Sequence, residues 1–148
     1  MAAVLIDTNV LVYAHDRGEH LKQKQAIQVL DRLFAAGSGR LTVQCLAEFF
    51  SAATRGPTPK LTIPEAAQQT DQLARAWPVL DLTPMIVVEA VRGVRDHQLA
   101  YWDAQIWASA RLNQIPVVFS EDFSDGVVFE GVRFVNPFAA EFVLAAWV

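Results

Sequence analysis

Cysteine is nearly missing from this sequence. Cys45 stands alone, so no internal disulfide can form, and a reducing compartment, the cytoplasm, is the expected setting. A basic excess is missing too: 16 acidic residues face 12 Lys and Arg, for a net charge of −4. Proteins that hold nucleic acid chiefly by neutralising phosphates are usually basic. Any such partner must therefore be met through local patches or through metal ions. No apolar run approaches the ~20 residues that span a bilayer, so no membrane partner is expected. The first residues lack the basic stretch and apolar core of a secretory signal. Repeats, low-complexity tracts and linkers are also lacking, and 53 % of the 148 residues are hydrophobic. The expectation is one folded domain, 1–148, with a substantial core.

What is present alternates. Residues 2–6 form a short, wholly apolar run, as in a strand buried on both faces. Further strands are expected at 41–43, 78–82, 116–119, 127–129 and 132–135, the last two about a Glu130-Gly131 turn. Helices are expected at 10–14, 21–36, 45–54, 62–76, 84–96, 98–112 and 138–147. Thr62 and Glu65 form a capping-box pair, and Thr83-Pro84 opens the helix that follows. Residues 56–62 read as a mobile loop. Short strands alternating with helices predict an α/β fold with a mainly parallel central sheet flanked by helices.

In such sheets ligands bind beyond the carboxyl ends of the strands. Asp7 follows the first strand directly, and Asp122 lies two residues past the strand at 117–119. Each reads equally as a helix cap, since Asp is favoured there. Asp103 falls between Leu99 and Ile106 on the face that carries Trp102 and Ala110. A charge on an apolar face needs a partner or a metal; Arg95 and Arg111 are the available arginines. Glu48 lies nearly opposite the face formed by Leu46, Phe49, Phe50 and Ala53, and periodicity alone makes it a surface residue. Carboxylates that converge would repel, by about 4 kcal/mol for two charges ~4 Å apart at an effective dielectric near 20. Convergence would therefore imply a hard cation with oxygen ligands, such as Mg²⁺.

In order, the stretches "VLIDTNVLVYA", "CLAEFF", "YWDAQIWASA" and "VVFSEDFSDG" resemble a PIN domain, and within that family the VapC-type toxins of bacterial toxin–antitoxin pairs. The resemblance spans nearly the whole chain. It makes Asp7, Glu48, Asp103 and Asp122 the catalytic, metal-binding acids, with Asp125 as an accessory ligand and Glu121 exposed. Thr8, Asn9 and Ser120 would supply hydrogen bonds around the site, although capping explains Thr8 and Asn9 equally well. It implies an endoribonuclease that uses one or two Mg²⁺ or Mn²⁺ ions to hydrolyse RNA phosphodiester bonds, with inhibition of translation and growth. It also implies a VapB-type antitoxin partner and a homodimer.

Arg17, Lys22 and Lys24 follow the first motif and are candidate phosphate contacts. His15, His20 and His97 read as surface residues. Trp102, Trp107, Phe49 and Phe50 resemble base-stacking platforms, but their helical spacing predicts core packing. A phospho-receiver would want a lysine near the last strand, and the lysines are Lys22, Lys24 and Lys60. A haloacid-type phosphatase would want an Asp where Asn9 stands. The remaining alternative is a catalytically silent PIN-like binding or scaffold module.

Overall fold

The apolar run before Asp7 is strand β1 (Val4–Ile6) in the computed structural model, which describes residues 2–148. All three of its side chains are buried. The other strands are β2 (Gly39–Thr42), β3 (Val79–Leu80), β4 (Val117–Phe119), β5 (Val128–Phe129) and β6 (Val132–Val135). They form one sheet in the order β3-β2-β1-β4-β6-β5. The pairings β1–β2, β1–β4, β2–β3 and β4–β6 are parallel, and β5–β6 is antiparallel. A parallel sheet needs cover on both faces. It comes from α1 (Thr8–Tyr13), α2 (His20–Ala36), α3 (Val43–Thr54), α4 (Ile63–Ala76), α5 (Pro84–His97) and α6 (Tyr101–Leu112). The chain is a single α/β domain with a mainly parallel sheet.

The sheet order reverses at β1. From there the chain builds β2 and β3 to one side, and β4 returns on the other. The crevice past the carboxyl ends of β1 and β4 is the switch point at which open α/β sheets bind ligands.

Local chemistry sets the element ends. Thr62 and Glu65 complete a reciprocal capping box on α4, and Thr83 caps α5 with Pro84 in its first turn. The β5–β6 turn takes positive φ at both Glu130 (49°) and Gly131 (86°), the twist that suits a tight hairpin. Gly93 lets α5 close on α6: a Cβ there would stand 2.8 Å from the buried Trp107 ring.

Three expectations fail here. Residues 138–147 do not form a helix beyond one 3₁₀ turn (Leu144–Ala146). Phe142 and Trp147 both meet the Phe119 ring edge-on, at 5.5 and 6.1 Å. Positions five apart do not share a helix face. The helix expected from residue 98 begins at Tyr101, because Gln98 takes φ 54° and ends α5 instead. Trp102 therefore lies in the first turn and projects out. It is 63 % exposed, whereas Trp107 and Phe49 are fully buried and Phe50 is half-buried.

Candidate active site

Asp7 sits where β1 gives way to α1. Its backbone N–H donates to the Phe119 carbonyl at the end of β4 (3.0 Å). Its Oδ1 accepts from the Thr8 N–H (2.7 Å) and its Oδ2 from the Ser120 hydroxyl (2.7 Å). The apolar run before it buries the carboxylate almost completely. Burial pushes its pKa up to about 7, opposed by the bonds from Ser120 and Thr8 and assisted by the charges of Asp122 and Glu48. Asp7 is thus both a helix cap and a site acid.

Asn9, two residues on, ties the two strand ends together. Its Nδ2 reaches Ser120 Oγ and Asp122 Oδ2, both at 3.2 Å, and its Oδ1 accepts from the Glu121 N–H (3.4 Å). Ser120 Oγ also accepts from the Asp122 N–H (3.1 Å). Thr8 uses its hydroxyl differently, donating to Glu48 Oε1 at 2.9 Å.

Glu48 corrects the periodicity argument. Helix α3, capped by Thr42 on the Cys45 N–H, packs Cys45, Phe49 and Ala53 into the core. The face that carries Glu48 turns toward the crevice, where α1 half-covers it. Asp103 has neither arginine as partner. Arg95 pairs with Asp96, and Arg111 with Glu89 and Glu130. The Asp103 carboxyl is half-buried, and its pKa is raised by burial and then by the charges of Asp122 and Glu48.

Asp7, Glu48, Asp103 and Asp122 therefore line one open cavity of about 450 Å³. Among the described residues none of the four pairs with a Lys, Arg or His. Nor do any three acid, His or Cys side chains, among those residues, stand close enough to enclose an ion as they are. The acids line an open cleft rather than a closed cage. Oxygen-only donors that lack a cationic partner, two of which, Asp7 and Asp103, are pushed up in pKa by burial and by the charges of the other two, fit a hard divalent ion such as Mg²⁺ or Mn²⁺.

Other candidates fall elsewhere. Asp125 does not line the cavity; its carboxylate accepts from the Asn136 N–H (2.8 Å) and tethers the loop after β4. Lys22 is committed to Glu121 (3.0 Å) and to the Tyr13 hydroxyl (3.2 Å). Glu121, expected to be exposed, is held by both of those groups at the cavity wall. Arg17 lines an adjoining cleft, and Lys24 is exposed outside both. Two histidines are not surface groups. His15 packs on Phe49, and His97 bonds Glu130 (2.6 Å) against the Trp107 ring. Burial pushes the Cys45 thiol up to about 12, which leaves it inert.

Sequence reasoning missed Gln44, Arg55, Lys60 and Trp102, which also line the cavity. A signal existed for two of them. Gln44 and Arg55 lie four before and seven after Glu48, a helical spacing, although Arg55 is the extended residue that ends α3.

An acid-lined crevice at the switch point of a parallel sheet defines a class of α/β hydrolytic or binding domains. The family is specific: the PIN domain family model matches residues 4–124, and the chain belongs to that family. No curated protein matches the sequence significantly. The fold is similar to that of a toxin–antitoxin complex from Klebsiella pneumoniae, with TM-score 0.67 and 18 % identity over 92 % of this chain and 98 % of that one. It is also similar to Mycobacterium tuberculosis VapC20, a sarcin-ricin loop cleaving toxin (TM-score 0.61, 18 % identity, 81 % of this chain and 90 % of that one). A third is the DNA-bound VapBC of Salmonella typhimurium (TM-score 0.63, 15 % identity, 90 % of this chain and 97 % of that one). At these identities the likeness establishes the fold.

Proposed function

We propose that this PIN domain is a Mg²⁺- or Mn²⁺-dependent endoribonuclease, the VapC-type toxin of a type II toxin–antitoxin pair, which hydrolyses RNA phosphodiester bonds and so inhibits translation and growth. One observation carries the reading: four carboxylates from separate elements line one cavity, and none has a cationic partner.

Asp7, Glu48, Asp103 and Asp122 would hold one or two ions. When bound, such an ion supplies an acidified water and charge shielding at the phosphate. The chain's own residues do the positioning. Ser120 and the Thr8 N–H fix both oxygens of Asp7. Asn9 holds Asp122 in register with Ser120, and the Thr8 hydroxyl aims Glu48. Among the described residues no histidine lines the cavity, so proton transfer falls to carboxylates and water.

The fold likeness to toxin–antitoxin assemblies supports a VapB-type antitoxin as partner; a homodimeric toxin rests on the family resemblance alone. Among the described residues no helix is long and apolar enough to cross a membrane, which suits cytoplasmic RNA as substrate. The test is to express the chain in a bacterium without an antitoxin and map RNA ends. New ends and growth arrest are expected with the wild type and are absent with Asp103→Asn. Folded wild-type chain that arrests nothing and makes no new ends would leave the silent binding module as the reading.

A further inference from the structure

Helix α3 acts as a ruler along the cavity. Gln44, Glu48 and Ser51 line it from one helical face, and Arg55, the extended residue that ends the helix, lines it just past them. At 1.5 Å per residue, Gln44 and the last helical residue, Thr54, stand roughly 15 Å apart along the axis, with Arg55 just past that end. The two ends differ in chemistry. At the Gln44 end, its Nε2 donates to the Trp102 carbonyl (3.1 Å) while Gln105 donates to its Oε1 (2.9 Å). Tyr101 donates to Gln105 (2.8 Å) and sets its ring edge-on to Trp102 at 5.0 Å. The Trp102 backbone is thus held on two sides while its indole stays 63 % exposed at the cavity wall, next to Asp103.

At the Arg55 end the lining carries two cations, Arg55 and Lys60, and one carboxylate, Asp16. Arg55 makes no ion pair among the described residues, and Lys60 lies 3.9 Å from Asp16. Asp16 and Lys60 continue into the adjoining cleft that Arg17 lines. The order along the cavity is aromatic, acidic, cationic.

We infer that the cavity seats an extended RNA chain with one unpaired base stacked on Trp102 and phosphates beyond the acids on Arg55 and Lys60. This rests on the nuclease reading above and adds the binding polarity and the residues that select the substrate. An exposed tryptophan beside a phosphate-handling site offers a flat, sequence-tolerant face for a base. Two cations, Arg55 at the end of α3 and Lys60 in the loop after it, match a polyanion. The net charge of −4 then poses no obstacle, because the cations are concentrated where the backbone passes.

The test uses the full chain and short unstructured oligoribonucleotides, bound in Ca²⁺ so that the RNA stays intact. Trp102→Ala should weaken binding roughly tenfold, and Trp102→Phe should restore most of it. In cleavage with Mg²⁺, Trp102→Ala should raise KM more than it lowers kcat. An oligonucleotide with abasic sites should bind wild type and Trp102→Ala alike. Arg55→Ala should reduce the slope of log affinity against log salt by about one. Melting temperatures of all three variants should match the wild type, since these side chains are exposed. Wild-type affinity in Trp102→Ala, no loss with abasic sites, or no RNA binding by the wild type would overturn the inference. So would a Trp102→Ala protein that keeps RNA but releases a cognate protein inhibitor, which would make this wall a protein-docking surface. The two readings fail separately. Folded wild type that makes no new RNA ends sinks the nuclease, whereas a cleaving wild type and a silent Asp103→Asn beside an unaffected Trp102→Ala sink only the base platform.

Discussion

Asp7 and Ser120, 113 residues apart in sequence, join the ends of β1 and β4 through a 2.7 Å hydrogen bond in which the serine hydroxyl donates to the buried carboxylate. The bond bears on stability and chemistry together. Ser120→Ala leaves Asp7 Oδ2 with only the 3.4 Å contact to Asn9. We expect a loss of about 1–3 kcal/mol at neutral pH, the cost of under-satisfying a buried charged group. Loss of a ligand-orienting bond should also weaken metal affinity by roughly 10–100-fold. Chemical denaturation and metal titration of the variant check both. Unchanged values for each would show that the bond neither supports the fold nor tunes the site.

The pKa of Asp7 gives a pH dependence with a definite sign. Its folded value is about 7 against an ordinary 3.8, so the folded state holds that proton over a range in which the unfolded chain has lost it. Stability from this group is full below 3.8 and is lost as pH rises through 7. In chelator, wild-type stability should therefore fall relative to Asp7→Asn across that window. The depressed His15 pKa acts in the opposite sense but is common to both proteins, so the difference isolates Asp7. Parallel profiles in urea unfolding would refute the assignment.

Asp103→Asn should abolish RNA cleavage and leave the fold intact or slightly more stable. The carboxyl has no cationic partner, and its pKa is raised by burial and by Asp122 and Glu48, so removing the charge relieves repulsion. RNA-end mapping paired with thermal melting checks this. An unfolded variant whose folded fraction still cleaves would make Asp103 a structural residue.

Chelation should silence the enzyme, Mg²⁺ or Mn²⁺ should restore it, and Ca²⁺ should substitute poorly. Ca²⁺ takes more ligands at longer distances, about 2.3–2.6 Å, and would misplace water and phosphate in an open cleft of this kind. Each ion that binds should raise the melting temperature, because it favours the state in which the four acids meet. Full cleavage in excess chelator by rigorously purified protein would remove the metal from the mechanism.

Much of this was readable from residue order, and the failures share one cause. Strand ends marked Asp7 and Asp122, because a buried strand must stop where polar residues begin. The Thr62–Glu65 capping box and the Glu130-Gly131 turn were local, and local chemistry survives folding unchanged. Periodicity failed at Glu48 and Trp102. Hydrophobic spacing reports which face meets the core, and a face that meets a cavity has the same polar look as one that meets bulk water. The family resemblance supplied Glu48, whereas Trp102 resembles a base platform but its spacing predicts core packing. The last segment failed because Phe142 and Trp147 are anchored by contacts to Phe119, which lies far back in the sequence.

The pairing of β1 with β4 also sets a timetable. Asp7 leaves the ribosome well before its partners: the strand that completes its surroundings, and the loop that carries Ser120 and Asp122, emerge more than a hundred residues later. Chains are made at about 5–20 residues per second, so for several seconds the nascent polypeptide carries one acid of the set with no counterpart. On the nuclease reading, the four acids can act together only once β4 and the loop after it have emerged and closed the sheet.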